Sequence, residues 1–99
     1  MIRHVVAFKL AADGHDDRSR DAATLRDELT SLVGKIAELR HLEVGLELGL
    51  VAGHWDACLV TDFASVADLE TYQAHPEHVR VVAATGPLVA DRAIVDYEV

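Results

Sequence analysis

The segment Ile2–Leu10 constrains the fold more than any other part of the chain. Ile2, His4, Val6, Phe8 and Leu10 alternate with Arg3, Val5, Ala7 and Lys9, which is the period of a β-strand. Both sets contain apolar side chains, so this strand is predicted to be central in its sheet and covered on both faces. A chain of 99 residues builds one domain. Folding at that size hides only about two-thirds of the chain surface. A strand that needs cover on two faces in so short a chain points to a partner subunit as the source of one layer.

The rest of the pattern supplies the other elements. Ala11–His15, with Asp13-Gly14, is a turn, and Asp16 or a neighbour can cap the next element. Ala22, Leu25, Leu29, Leu32, Ile36 and Leu39 recur at spacings of three or four and predict a helix of roughly six turns. Gly34 weakens that helix locally, by about 1 kcal/mol relative to Ala. Its remaining charges, such as Arg20, Asp27 and Glu28, form a solvated face. His41–Leu48 alternates as a half-buried edge strand, and Trp55–Phe63 forms a third strand after a Gly-containing connection. Ser65, with Asp68 three residues on, caps a helix carrying Val66, Leu69, Tyr72 and Gln73. Pro76 ends it and starts another, lined by Val79, Val82, Ala83 and Leu88 and broken at Gly86-Pro87. Ala90–Val99 is the last strand.

The order β-α-β-β-α-β predicts a ferredoxin-like α+β fold over residues 1–99, a single domain with an antiparallel four-stranded sheet. Helices cover one face. Val5, Ala7, Cys58 and Val60 point to the other, which predicts a homodimer through that open sheet face.

Charge narrows the partners. Nine Lys and Arg stand against 17 Asp and Glu, a net charge of −8, and the basic residues are scattered. Nucleic acid and anionic membrane surfaces are disfavoured. No apolar run approaches the roughly 20 residues of a membrane span. The lone Cys58 excludes an internal disulfide and a multi-cysteine zinc site. With no long apolar N-terminal core, the expected location is the cytoplasm. A neutral or hydrophobic small molecule fits this balance.

The chemistry concentrates in Tyr72-Gln73-Ala74-His75-Pro76-Glu77-His78. Tyr72 and His75 share a helix face at i,i+3, and Pro76 redirects the chain so that a side chain beyond it can turn back between helices and sheet. His4 is a polar ring on the helix-facing side of the first strand, where it needs a partner or a wet cavity. His78 could remove a proton next to a carbonyl while Tyr72 hydrogen-bonds the oxygen that becomes an enolate, chemistry that requires no cofactor. Spacing alone favours structural roles for each: a packing His78, a core Tyr72, a satisfied buried His4 and a His75 that caps the Pro turn. No H-x-x-x-H or HExxH spacing supports a metal site, Asp56, Asp62 and Asp96 show no paired-carboxylate pattern, and no phosphate loop is present.

Ile2-Arg3-His4-Val5-Val6-Ala7-Phe8-Lys9-Leu10, Phe63-Ala64-Ser65, the Tyr72–His78 run, Val89-Ala90-Asp91-Arg92 and Val95-Asp96-Tyr97 together resemble the stress-responsive A/B barrel (Dabb) domain family over essentially the whole chain. The resemblance implies a ferredoxin-like monomer in a dimeric α+β barrel. One small apolar pocket per subunit is expected between helices and sheet, with His4, His75, Phe8 and Leu59 in its lining. In the family's plant polyketide cyclases, the residues matching His78 and Tyr72 act as general base and carbonyl partner in an intramolecular aldol condensation, and the match to His4 lines the pocket. Those cyclases carry a further histidine on the third strand, where Ala57 or Asp56 stands in this chain, so their substrate does not transfer. The resemblance therefore implies a cofactor-independent, polyketide-cyclase-like or lyase activity on a carbonyl substrate. Its rivals are a non-catalytic small-molecule-binding or stress-response protein and a cofactor-free monooxygenase.

Overall fold

A computed structural model describes residues 1–99. The elements run β1 (Ile2–Leu10), α1 (His15–Thr30), β2 (His41–Leu46), β3 (Ala57–Phe63), α2 (Val66–Ala74), α3 (Pro76–Thr85), a short 3₁₀ turn (Gly86–Leu88) and β4 (Val89–Glu98). β1 pairs antiparallel with β3 on one side and β4 on the other, giving the sheet order β2-β3-β1-β4. This is the ferredoxin-like α+β arrangement, with β2 at an edge as its clean alternation indicates.

Register decides what each face carries. His4, Val6 and Phe8 stand opposite Thr61, Leu59 and Ala57 of β3 and opposite Asp96, Ile94 and Arg92 of β4, all on the side the helices cover. The core on that side joins Val6, Phe8, Leu59 and Phe63 of the sheet to Leu25 and Leu29 of α1, Leu69 and Tyr72 of α2, and Val81 of α3. The other face aligns Val5 with Val60 and Val95, and Ala7 with Cys58 and Ala93. Val95 and Tyr97 are 59% and 46% exposed there. Beside them Arg3 holds Asp62 through two hydrogen bonds, 2.8 and 3.0 Å, which keep that carboxyl below the usual carboxylate range.

The first helix is shorter than its apolar stripe suggests. α1 ends at Thr30, and the chain continues through bonds that span three residues, Leu32 N–H to Leu29 O and Lys35 N–H to Leu32 O. Gly34 takes φ +81°, a left-handed conformation that a helix cannot include. Leu32 and Ile36 remain buried, so the stripe persists although the helix does not. At its other end the N-cap is Gly14, with no side-chain bond, rather than Asp16. β2 stops at Leu46, and Leu48 is exposed.

The third helix has a different inward face from the expected one. Val81 and Thr85 are buried, Val82 is 40% exposed at the inward edge, and Val79 and Ala83 are exposed. Pro76 at the start and the His75 cap fix where the helix begins, and hence its phase. Thr85 is tolerated inside because its hydroxyl donates to Val81 O at 2.8 Å. α2 begins as expected: Ser65 Oγ accepts from Asp68 N–H at 3.1 Å.

Burial predicts that Leu32→Ala lowers stability by about 2–5 kcal/mol, as a fully enclosed side chain outside any helix. Val33→Ala, one residue on and exposed, changes it by no more than about 0.5 kcal/mol. Urea midpoints of the two variants check this.

Candidate functional site

A cavity of about 120 Å³ opens between the helices and the β1–β4 half of the sheet. β1 contributes His4, Val6 and Phe8, β3 contributes Leu59, and β4 contributes Arg92 and Ile94. Leu29 of α1, Tyr72 and Gln73 of α2, and His78, Val81, Val82 and Thr85 of α3 complete the wall. The lining is mostly apolar with a few convergent polar groups, the usual character of a small-molecule site.

The break between α2 and α3 assembles the polar side. α2 ends at Ala74, His75 takes an extended conformation, and Pro76 starts α3. The redirected chain brings the His78 ring to 4.6 Å from the Tyr72 ring, centroid to centroid, with a tilt of 53°. Phe63 packs on Tyr72 at 4.9 Å.

Tyr72 is fully buried, and its hydroxyl is enclosed without a hydrogen-bond partner. Burial pushes its pKa up to about 12, so at neutral pH the group is a neutral O–H, able to donate. His78 Nδ1 lies 3.0 Å from Gln73 O. A carbonyl only accepts, so Nδ1 carries the proton and the neutral ring's free lone pair is on Nε2. Burial pulls the His78 pKa below its ordinary 6.5. The bond to Gln73 O opposes that shift, and the nearby His4 reinforces it. The ring is therefore an unprotonated base at neutral pH.

His4, also buried, places Nδ1 2.5 Å from Asp96 Oδ1. Its N–H donates to the carboxylate, which fixes the ring's tautomer and orientation. A hydroxyl donor, a lone-pair base and an oriented second imidazole thus share one cavity.

His4, Phe8, Leu59, Tyr72 and His78 all line this cavity. His75 is not in that lining and takes the capping role that spacing alone favours. Its Nδ1 accepts from Glu77 N–H at 3.1 Å as the N-cap of α3, and the ring is occupied in holding the helix start. His4, His75 and His78 do not gather into a group that could ligate a metal ion. Asp96, Thr85 and Arg92 were missed as site residues. The alternation of β4 sets Arg92, Ile94 and Asp96 on one side, but only the β1–β4 register shows that this side faces the helices. A larger, shallow hollow of about 530 Å³ lies elsewhere, around Ala7, Gly45, His54, Trp55 and Cys58, and contains neither Tyr72 nor His78.

These features define a ferredoxin-like domain with a largely apolar cavity beneath its helices, lined also by Tyr72, His4 and His78. Residues 2–99 match the model of the stress responsive A/B barrel domain, and the chain belongs to that family. A dimeric protein of ferredoxin-like fold from Bacteroides fragilis is 30% identical, with a TM-score of 0.86 over 99% of this chain and 95% of that one. A dimeric ferredoxin-like protein from Thermobifida fusca is also 30% identical, with a TM-score of 0.78 over 99% and 90%. Hydroxynitrile lyase from Passiflora edulis is 17% identical, with a TM-score of 0.73 over 99% and 93%, a likeness of fold alone. No curated protein matches the chain. No helix is long and apolar enough to cross a membrane.

An enclosed hydroxyl without a partner costs stability unless a ligand or water completes it. Tyr72→Phe is therefore expected to leave stability unchanged or raise it by about 1 kcal/mol, because the orphaned group is removed at nearly constant shape. Chemical denaturation of the ligand-free proteins measures this.

Proposed function

We propose that the protein is a cofactor-independent acid–base catalyst acting on a small carbonyl compound, a cyclase-like or lyase activity, with His78 as base and Tyr72 as carbonyl partner. The observation that supports it most is the unpartnered, buried Tyr72 hydroxyl beside a histidine whose Nδ1 is already spent on Gln73 O. A substrate carbonyl entering the cavity accepts the Tyr72 O–H. His78 Nε2 takes a proton from the adjacent carbon, the C–H electron pair moves onto the carbonyl oxygen, and the resulting enolate is held by the same O–H. The enolate then attacks a second carbonyl, expels a leaving group or is reprotonated by the imidazolium. Phe8 and Leu59 supply apolar wall, and the Asp96-anchored His4 supplies a further polar group at fixed orientation.

The working unit in this reading is a cytoplasmic homodimer joined through the open sheet face. The apolar Val5, Ala7, Val60 and Val95 on that face support it, as do the relatives described as dimeric. A lyase on the same fold is compatible with the reading but does not carry it. The cavity alone also supports a purely binding role, which a measurement of turnover separates from catalysis.

Proton NMR in D₂O detects that turnover as exchange at the central carbon of acetylacetone. The native protein is expected to accelerate it, and His78→Ala to lower the acceleration by about 100-fold or more with ligand binding retained. Tyr72→Phe should cost about 10- to 100-fold. Binding without any acceleration would leave a ligand-binding protein and sink the catalytic reading.

The pH profile is set by the sign of the His78 shift. Its folded pKa lies below the ordinary 6.5, so the catalysed rate should be flat near pH 7 and fall only at lower pH than an unperturbed histidine would give. The same shift makes the folded state lose stability as pH drops through and below that ordinary value, a loss that His78→Ala should reduce. Exchange rates and denaturation midpoints between pH 5 and 8 test both halves.

A further inference from the structure

Arg92 is the cavity residue that acid–base chemistry leaves unused. It stands on β4 opposite Phe8, on the same side as Ile94 and Asp96, and lines the cavity. Arg3, Arg20, Arg26 and Arg80 engage carboxylates, Arg18 donates to backbone carbonyls, and Arg40, whose guanidinium is also free, lies away from this cavity beside Gly34, His41 and Leu42. The Arg92 guanidinium has no hydrogen bond or ion pair within the chain; only its backbone N–H is engaged, by Asp91. Neither of the two carboxylates nearest in sequence pairs with it. Asp96 accepts from His4, and Asp91 sits at the neighbouring strand position, whose side chain points to the opposite side.

Arg92 is the one arginine that lines the cavity of Tyr72 and His78, in a chain of net charge −8. A free guanidinium at that place attracts an anion entering the cavity. A guanidinium offers a planar fork of donors that fits a carboxylate. The Tyr72 hydroxyl offers a donor on another wall of the same cavity, which a carbonyl oxygen can accept. The two requirements together describe one molecule with a carbonyl at one end and a carboxylate at the other.

We infer that Arg92 is the anion-recognition residue of this cavity, and that the substrate class is a small oxo-carboxylate whose carboxylate meets Arg92 while its carbonyl meets Tyr72. The carbonyl half rests on the proposed acid–base function; the carboxylate half stands on Arg92 alone. The modest cavity volume confines the occupant to a short chain, and the exposed position of Arg92 sets the anion at the mouth.

The test compares acetoacetate with acetylacetone, a neutral compound of similar size, by NMR titration of the ¹⁵N-labelled full chain. The native protein should bind acetoacetate about tenfold more tightly at low ionic strength, a preference that shrinks as salt is added. Arg92→Gln should bring the two ligands to equal affinity without changing that for acetylacetone, and Arg92→Lys should keep part of the preference. Equal affinities in the native protein would overturn the inference. So would a parallel loss for both ligands in Arg92→Gln, which would make Arg92 mere wall, or no binding of either. Anion preference that survives while His78-dependent exchange is absent would remove the catalytic reading and leave the role of Arg92 standing.

Discussion

The pairing of β1 on both edges governs everything else in the molecule. As the strand between β3 and β4, it sends His4, Val6, Phe8 and Leu10 under the helices and Arg3, Val5, Ala7 and Lys9 to the open side. A slip of one residue would exchange the two sets and bury Arg3 and Lys9 in the core, so the register is held by the cost of burying charge. Its two neighbours then fix the site. β3 sets Leu59 and Thr61 beside the strand's inward residues, and β4 brings Asp96 to His4.

The cavity is where the fold gives up stability. The core around it is conventional, with Phe63, Leu25 and Val81 fully enclosed and Thr85 satisfied by its own helix. Tyr72 is as deeply buried as any of these, yet its hydroxyl has no partner. A phenylalanine would pack as well and leave nothing unsatisfied. Departures from local rules of this kind gather at functional sites, because a group satisfied within the fold has nothing left for a ligand. His78 shows the complementary arrangement: one nitrogen is tied to Gln73 O, which orients the ring and leaves the other free.

Helix boundaries and phases were the least legible features. The apolar stripe through Leu39 reads as one long helix, but Gly34 takes a left-handed conformation and the chain reaches Ile36 by turns. Burial periodicity reports which residues face the core, not which backbone carries them. In α3 the apolar Val79, Val82 and Ala83 are the natural inward face on composition, yet Val81 and Thr85 hold the buried positions, with Val82 at the cavity edge, because the Pro76 start sets the rotation. His75 takes the capping role that its place before Pro76 favours, and it is the companion expectation of a place in the pocket lining that its backbone position does not supply.

By itself the sequence determined the alternation of the strands, the order of elements, the Ser65 and Pro76 helix starts, and the concentration of chemistry around Tyr72 and His78. These are local properties, set by side-chain period, backbone preference and capping within a few residues. Only the tertiary structure decided that Asp96 anchors His4, that Arg92 reaches the same cavity with an unpaired guanidinium, and that the Tyr72 hydroxyl is left alone. Each of those depends on the register between strands far apart in sequence or on the angle at which α3 leaves Pro76. No local pattern encodes such relations, because they arise from packing the whole chain at once.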